Sequence, residues 1–60
     1  MKSRVLIVDD VKAECRMLCD ALGAFEFDAH WALSGADALN ALCNEPFDVV
    51  VTDLNMPNLN

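Results

Sequence analysis

Val5-Leu6-Ile7-Val8-Asp9-Asp10 is the stretch whose reading decides the fold. Four consecutive apolar residues, three of them branched at Cβ, with no polar break, read as a strand buried on both faces. The run stops abruptly on two acids. A second run, Val49-Val50-Val51-Thr52, reads in the same way as a strand buried on both faces, and stops on Asp53. In an open parallel sheet, ligands bind beyond the carboxyl ends of the strands, so Asp9, Asp10 and Asp53 are expected to gather at one rim. Clustered carboxylates repel, and one takes a proton unless a cation neutralises them. An all-oxygen donor set selects a hard cation, Mg²⁺ or Ca²⁺.

Outward from these runs the pattern alternates between strand and helix. The first strand is expected over Arg4 to Val8 and the first helix over Val11 to Ala24, where Val11, Cys15, Leu18, Leu22 and Phe25 form one apolar stripe. Lys12, Glu14, Arg16 and Asp20 fall largely off that stripe. Asp9 or Asp10 is a candidate N-cap, and Gly23 an ambiguous stop signal. Phe27 to Leu33 alternates between apolar and polar positions and reads as a half-exposed edge strand. Ser34-Gly35-Ala36-Asp37 has the form of a capping box opening a second helix. Ala38, Leu39, Leu42 and Cys43 are its expected buried face, and Pro46 ends it. Phe47 to Thr52 is the third strand, and the turn-forming tail Leu54 to Asn60 follows.

Alternation of this kind implies parallel, right-handed crossovers. With one helix on each face, the most apolar strand is central and the order is 2-1-3. The switch point then falls between the first and third strands, beside the three acids. The outer edge of the third strand has nothing to cover it and invites pairing with another chain. The 60 residues read as the front part of a larger α/β domain, with no second domain, linker or repeat.

Composition narrows the function classes. The chain is 55% hydrophobic, too apolar for a disordered segment. A net charge of −6 and the lack of a Lys/Arg cluster argue against nucleic-acid binding and against anionic membrane surfaces. No apolar stretch is long enough to span a bilayer, and the N-terminus does not read as a signal peptide. Cys15, Cys19 and Cys43 are odd in number and lack Cys-x-x-Cys spacing, which suits reduced thiols in the cytoplasm.

These motifs together resemble the receiver domain of bacterial two-component response regulators. The resemblance rests on Val5-Leu6-Ile7-Val8-Asp9-Asp10, on Ser34-Gly35-Ala36-Asp37-Ala38-Leu39, and on Phe47-Asp48-Val49-Val50-Val51-Thr52-Asp53-Leu54-Asn55-Met56-Pro57. It covers essentially the whole chain but only about half of the usual receiver domain. It implies a flavodoxin-like doubly wound sheet, of which this chain is the first βαβαβ portion. It also implies a phosphorelay signalling role rather than an enzyme. Asp53 would be the phosphoacceptor, with a sensor histidine kinase or a small molecule as donor. Asp10 would bind Mg²⁺ directly, Asp9 mainly through water, and the backbone carbonyl of Asn55 and Asp53 itself would complete the protein ligands. Met56-Pro57 would shape the following loop. Val11 stands where many relatives carry a further acid, and the Ser/Thr, Lys and switch aromatic of the family's second half have no counterpart here.

Two rival classes compete with the receiver reading. One is a metal-dependent phosphohydrolase with Asp53 as nucleophile; it typically wants an acid two residues later, where Asn55 stands. The other is a self-associating half-domain that pairs through its third strand without phosphorylation. For the remaining polar residues, simpler roles are expected. His30 reads as a solvated side chain on an edge strand, Cys15 and Cys19 as helix-face packing, Trp31 as a core or edge-cover aromatic, and Asp48 as a strand-start acid away from the rim.

Overall fold

The computed structural model describes residues 2–52. Within them lie β1 (Arg4–Val8), α1 (Lys12–Ala24), β2 (Asp28–Ala32), α2 (Gly35–Asn44) and β3 (Val49–Thr52). The strands form one parallel sheet in the order β2-β1-β3. This is the expected 2-1-3 arrangement, with the most apolar strand central.

Alternate β1 side chains feed two cores. Val5 and Ile7 pack with Cys15 of α1, flanked by Cys19 and Leu22. Leu6 and Val8 pack with Ala32 and Ala38, flanked by Ala41 and Phe47. One helix therefore covers each face, as the doubly wound pattern requires. No described helix is long and apolar enough to cross a membrane.

The helix faces differ from those expected. On α1 the line that meets the sheet is Cys15, Cys19 and Leu22, at i, i+4 and i+7. Val11, Leu18 and Phe25 are substantially exposed. α1 packs over β1 and β2 and does not reach β3, so one flank of its apolar sector overhangs uncovered. On α2, Ala38 and Ala41 make the contact, whereas Leu39, Leu42 and Cys43 are exposed. Periodicity marks the apolar sector of a helix; which line within it touches depends on where the helix lies over the sheet.

Caps set the element ends. The Ser34 side chain accepts a hydrogen bond from the Asp37 N–H at 3.1 Å, as the capping-box reading expects. Neither Asp9 nor Asp10 caps α1; Val11 occupies that position with extended backbone and no side-chain cap. Nor does Gly23 terminate α1. The Phe27 N–H donates to the Leu22 carbonyl and the Glu26 N–H to the Gly23 carbonyl, both at 3.1 Å. These are the two bonds of a Schellman motif. Its left-handed residue is Glu26, with φ of 67°. Because the Phe27 N–H is committed to the helix end, β2 begins one residue later than expected.

At the amino end of the sheet, Arg4 gathers several charges. Its Nε lies 3.4 Å from Asp28 Oδ2, its Nη2 lies 3.2 Å from Glu45 Oε1, and its guanidinium carbon is 5.1 Å from the Phe47 ring centroid. The Arg4 N–H donates to Asp48 Oδ2 at 2.8 Å. His30 is half-buried rather than freely solvated, with Nε2 3.0 Å from Asp28 Oδ1 and its ring edge-on to Phe47. Asp48 is at this end, away from the carboxyl rim, as expected.

Candidate functional site

The carboxyl rim is built by strand register. Val8, the last residue of β1, is aligned with Ala32 in β2 and with Thr52 in β3. All three strands therefore end level, and Asp9-Asp10 leaves the central strand at that edge. Asp10 is exposed; Asp9 is buried, at 6% exposure.

A buried carboxylate needs hydrogen-bond partners. The Asp9 side chain accepts from the Val11 N–H at 3.0 Å through Oδ1. Its main chain is held as well. The Asp9 N–H donates to the Ala32 carbonyl at 3.1 Å, and the Cys15 thiol donates to the Asp9 carbonyl at 3.4 Å. Hydrogen bonding from the Val11 N–H, and next from the Glu14 carboxyl, holds the Asp9 carboxyl below the usual carboxylate range despite its burial. Asp9 is thus an ionised oxygen donor at neutral pH, the kind a hard cation takes.

Glu14 joins the site although the sequence pattern marks it only as a residue off the apolar stripe of α1. Its signal was position: an acid in the first turn of α1, where the helix dipole favours negative charge, close to Asp9. Cys15 was assigned only to packing. It is fully buried, and burial pushes its thiol pKa up, followed by the nearby Asp9 charge. The thiol therefore stays protonated and able to donate. Cys19 is shifted the same way, first by burial.

Of the residues proposed from sequence as metal ligands, Asp9 and Asp10 stand together at the end of β1. Asp53 and Asn55 lie outside the described residues, as does Met56-Pro57. Among the described residues, no group of three or more His, Cys, Asp or Glu side chains is arranged to hold a metal ion. The chemistry of the described part of the rim is that of one buried, ionised carboxylate and one exposed acid beside the end of β3.

Comparison with known proteins gives a consistent picture. A family model described as the response regulator receiver domain matches residues 5–60. The sensor histidine kinase RcsC of Salmonella typhimurium is 42% identical over 55 residues, covering 92% of this chain and 6% of that protein. The response regulator PleD of Caulobacter vibrioides is 32% identical over 59 residues, covering 98% of this chain and 13% of that protein. The structure of the chemotaxis response regulator CheY4 of Vibrio cholerae superposes with a TM-score of 0.89 at 32% identity, covering 95% of this chain and 48% of that one. The chain thus spans about half of CheY4 and a small part of RcsC and PleD.

Proposed function

Because this chain belongs to the response regulator receiver domain family, we propose that it is the phosphoacceptor part of a two-component phosphorelay. Asp53 takes the phosphoryl group, and Asp9, Asp10, Asp53 and the backbone carbonyl of Asn55 hold Mg²⁺. The observation that carries this reading is the Val8–Thr52 register. It brings the ends of β1 and β3 level, and Asp9-Asp10 and Asp53 are the residues that follow those ends in sequence.

The donor chemistry fits the metal. Asp9 is ionised and immobilised by hydrogen bonds to its N–H, its carbonyl and its carboxylate, so it presents an oriented negative oxygen with little ordering left to do. Asp10 is exposed at the rim, where a cation arriving from solvent meets it. Bound Mg²⁺ offsets the charge on the carboxylate and on the phosphoryl oxygens. In the transfer, an Asp53 carboxylate oxygen forms a bond to phosphorus as the bond from phosphorus to the donor nitrogen breaks, giving an acyl phosphate. The donor is a sensor histidine kinase, a reading supported by the relative RcsC, which is itself named as such a kinase. The module receives a phosphoryl group and does not turn over a substrate, and it works in the cytoplasm without contacting nucleic acid or membrane.

Residues 1–60 correspond, on this reading, to the amino-terminal half of a receiver domain. Val49, Val50 and Val51 are exposed and β3 pairs with β1 alone among the described residues, which supports strand-to-strand self-association along its outer edge. Sedimentation velocity across a concentration series tests this, and a monomer at all concentrations refutes it.

Phosphorylation is tested by incubating the protein with acetyl phosphate and Mg²⁺ and following intact mass. A gain of one phosphoryl group is expected, absent in Asp53→Asn and in EDTA. Equal labelling of wild type and Asp53→Asn would overturn the assignment.

A further inference from the structure

We propose that Cys15 is a positioning residue for the metal site, its thiol fixing the peptide of Asp9 from inside the core. This rests on the reading of the rim as a Mg²⁺ site and adds a residue to it. The argument starts from burial. Cys15 has no exposed surface and packs with Val5 and Ile7. A side chain there could serve packing alone, and an apolar residue of similar volume would then do equally well. The thiol has a directed contact instead: it donates to the Asp9 carbonyl at 3.4 Å, six residues back along the chain.

That carbonyl lies in the turn between β1 and α1, outside the ladders of both elements. The Asp9 N–H is tied to β2 through Ala32, and the carboxylate to the turn itself through Val11. The Cys15 contact ties the remaining main-chain polar group to α1. The β2 anchor fixes the Val8–Asp9 peptide, so among these bonds the Cys15 contact is the one that fixes the Asp9–Asp10 peptide plane, which cannot rotate without breaking it. Rotation of that plane would swing Asp10 relative to Asp9 and spread the oxygen donors. Groups behind metal ligands control affinity in this way, by restricting the orientations the ligands sample.

The test separates donation from packing. Cys15→Val keeps a buried apolar side chain of similar size and removes the donor. Cys15→Ser keeps a donor, and Cys15→Ala controls for any variant that misfolds. Mg²⁺ binding is measured by calorimetry on each protein, with circular dichroism to verify folding and amide exchange at Asp10 and Val11 as a second readout. We expect Mg²⁺ affinity to fall about three- to tenfold in Cys15→Val and Cys15→Ala, less than for a strong hydrogen-bond partner of a metal ligand because the thiol is a weak donor. Asp10 exchange should quicken in both, and Cys15→Ser should recover affinity to within about twofold of wild type. Wild-type affinity and exchange in folded Cys15→Val would overturn the positioning role and leave the metal site standing. Failure of the wild-type protein to bind Mg²⁺ would overturn the metal reading itself, and this inference with it.

Discussion

β1 and β3 are written in nearly the same alphabet, yet they end in opposite environments. Val5 to Val8 are 1–3% exposed, whereas Val49, Val50 and Val51 are 44–48% exposed. β1 has a strand on each edge and a helix on each face. β3 pairs with β1 alone among the described residues, and neither described helix packs on it. The expectation that Val49 to Thr52 is buried on both faces is therefore not met: composition makes a strand capable of burial, and neighbours decide whether burial happens. The two strand ends differ accordingly. The β1 end presents an acid fixed by the core, and the β3 end leads into the proposed acceptor.

The largest effect is expected where the two ends differ in role. Asp53→Asn should abolish phosphoryl labelling while leaving the urea midpoint close to wild type, because the β3 end contributes chemistry and little of the described core. A fall in the midpoint matching the loss of labelling would break the division. Next comes paired truncation. Leu6→Ala removes a fully buried side chain and should cost about 2–5 kcal/mol, enough to unfold a domain this small. Val50→Ala, its partner in register, should cost under about 1 kcal/mol. Comparable losses in equilibrium unfolding would mean that the faces of β3 are covered in solution, and would break the contrast with β1.

Two smaller effects probe the elements that lock β1. Glu26 holds a left-handed conformation at the exit of α1, which glycine adopts without steric penalty. Glu26→Gly should raise stability by about 1 kcal/mol, measured by thermal or urea denaturation. A drop would show that the Glu26 side chain has a stabilising role of its own. The last prediction is a change of slope with pH, in metal-free buffer. The Asp9 carboxyl lies below its ordinary value of 3.8 in the folded chain, chiefly through the Val11 N–H. A depressed acid stabilises the fold above its unfolded pKa, and that contribution is lost as pH falls through the lower folded value. Asp9→Asn should therefore flatten the decline of urea midpoints below about pH 4. An unchanged acid limb would place the acid sensitivity elsewhere.

Much of this organisation is legible in the amino-acid sequence. The unbroken apolar run of β1, the Ser34–Asp37 cap and the alternation of periodicities gave the element order and the sheet order. Asp9-Asp10 was recognisable as a rim pair because an acid pair directly after a buried parallel strand has few other places to go. The contacting line of α1 was not legible: Val11, Leu18 and Phe25 share the period of Cys15 and Leu22, and a one-dimensional pattern does not say how a helix is seated. Glu14 is marked by the pattern only as lying off the apolar stripe, and Cys15 only as helix-face packing.

What the sequence determined by itself was therefore local and periodic: which segments are strands or helices, that the strands run parallel in the order 2-1-3, and which acids follow the ends of β1 and β3. Tertiary structure alone decided which apolar strand is buried and which edge of each helix touches the sheet. It also decided that Asp9 is held at once by Ala32, Val11 and Cys15. The physical reason is that periodicity and capping arise from interactions within a few residues. Burial and orientation depend instead on groups brought together from distant parts of the chain, whose relative placement no local pattern encodes.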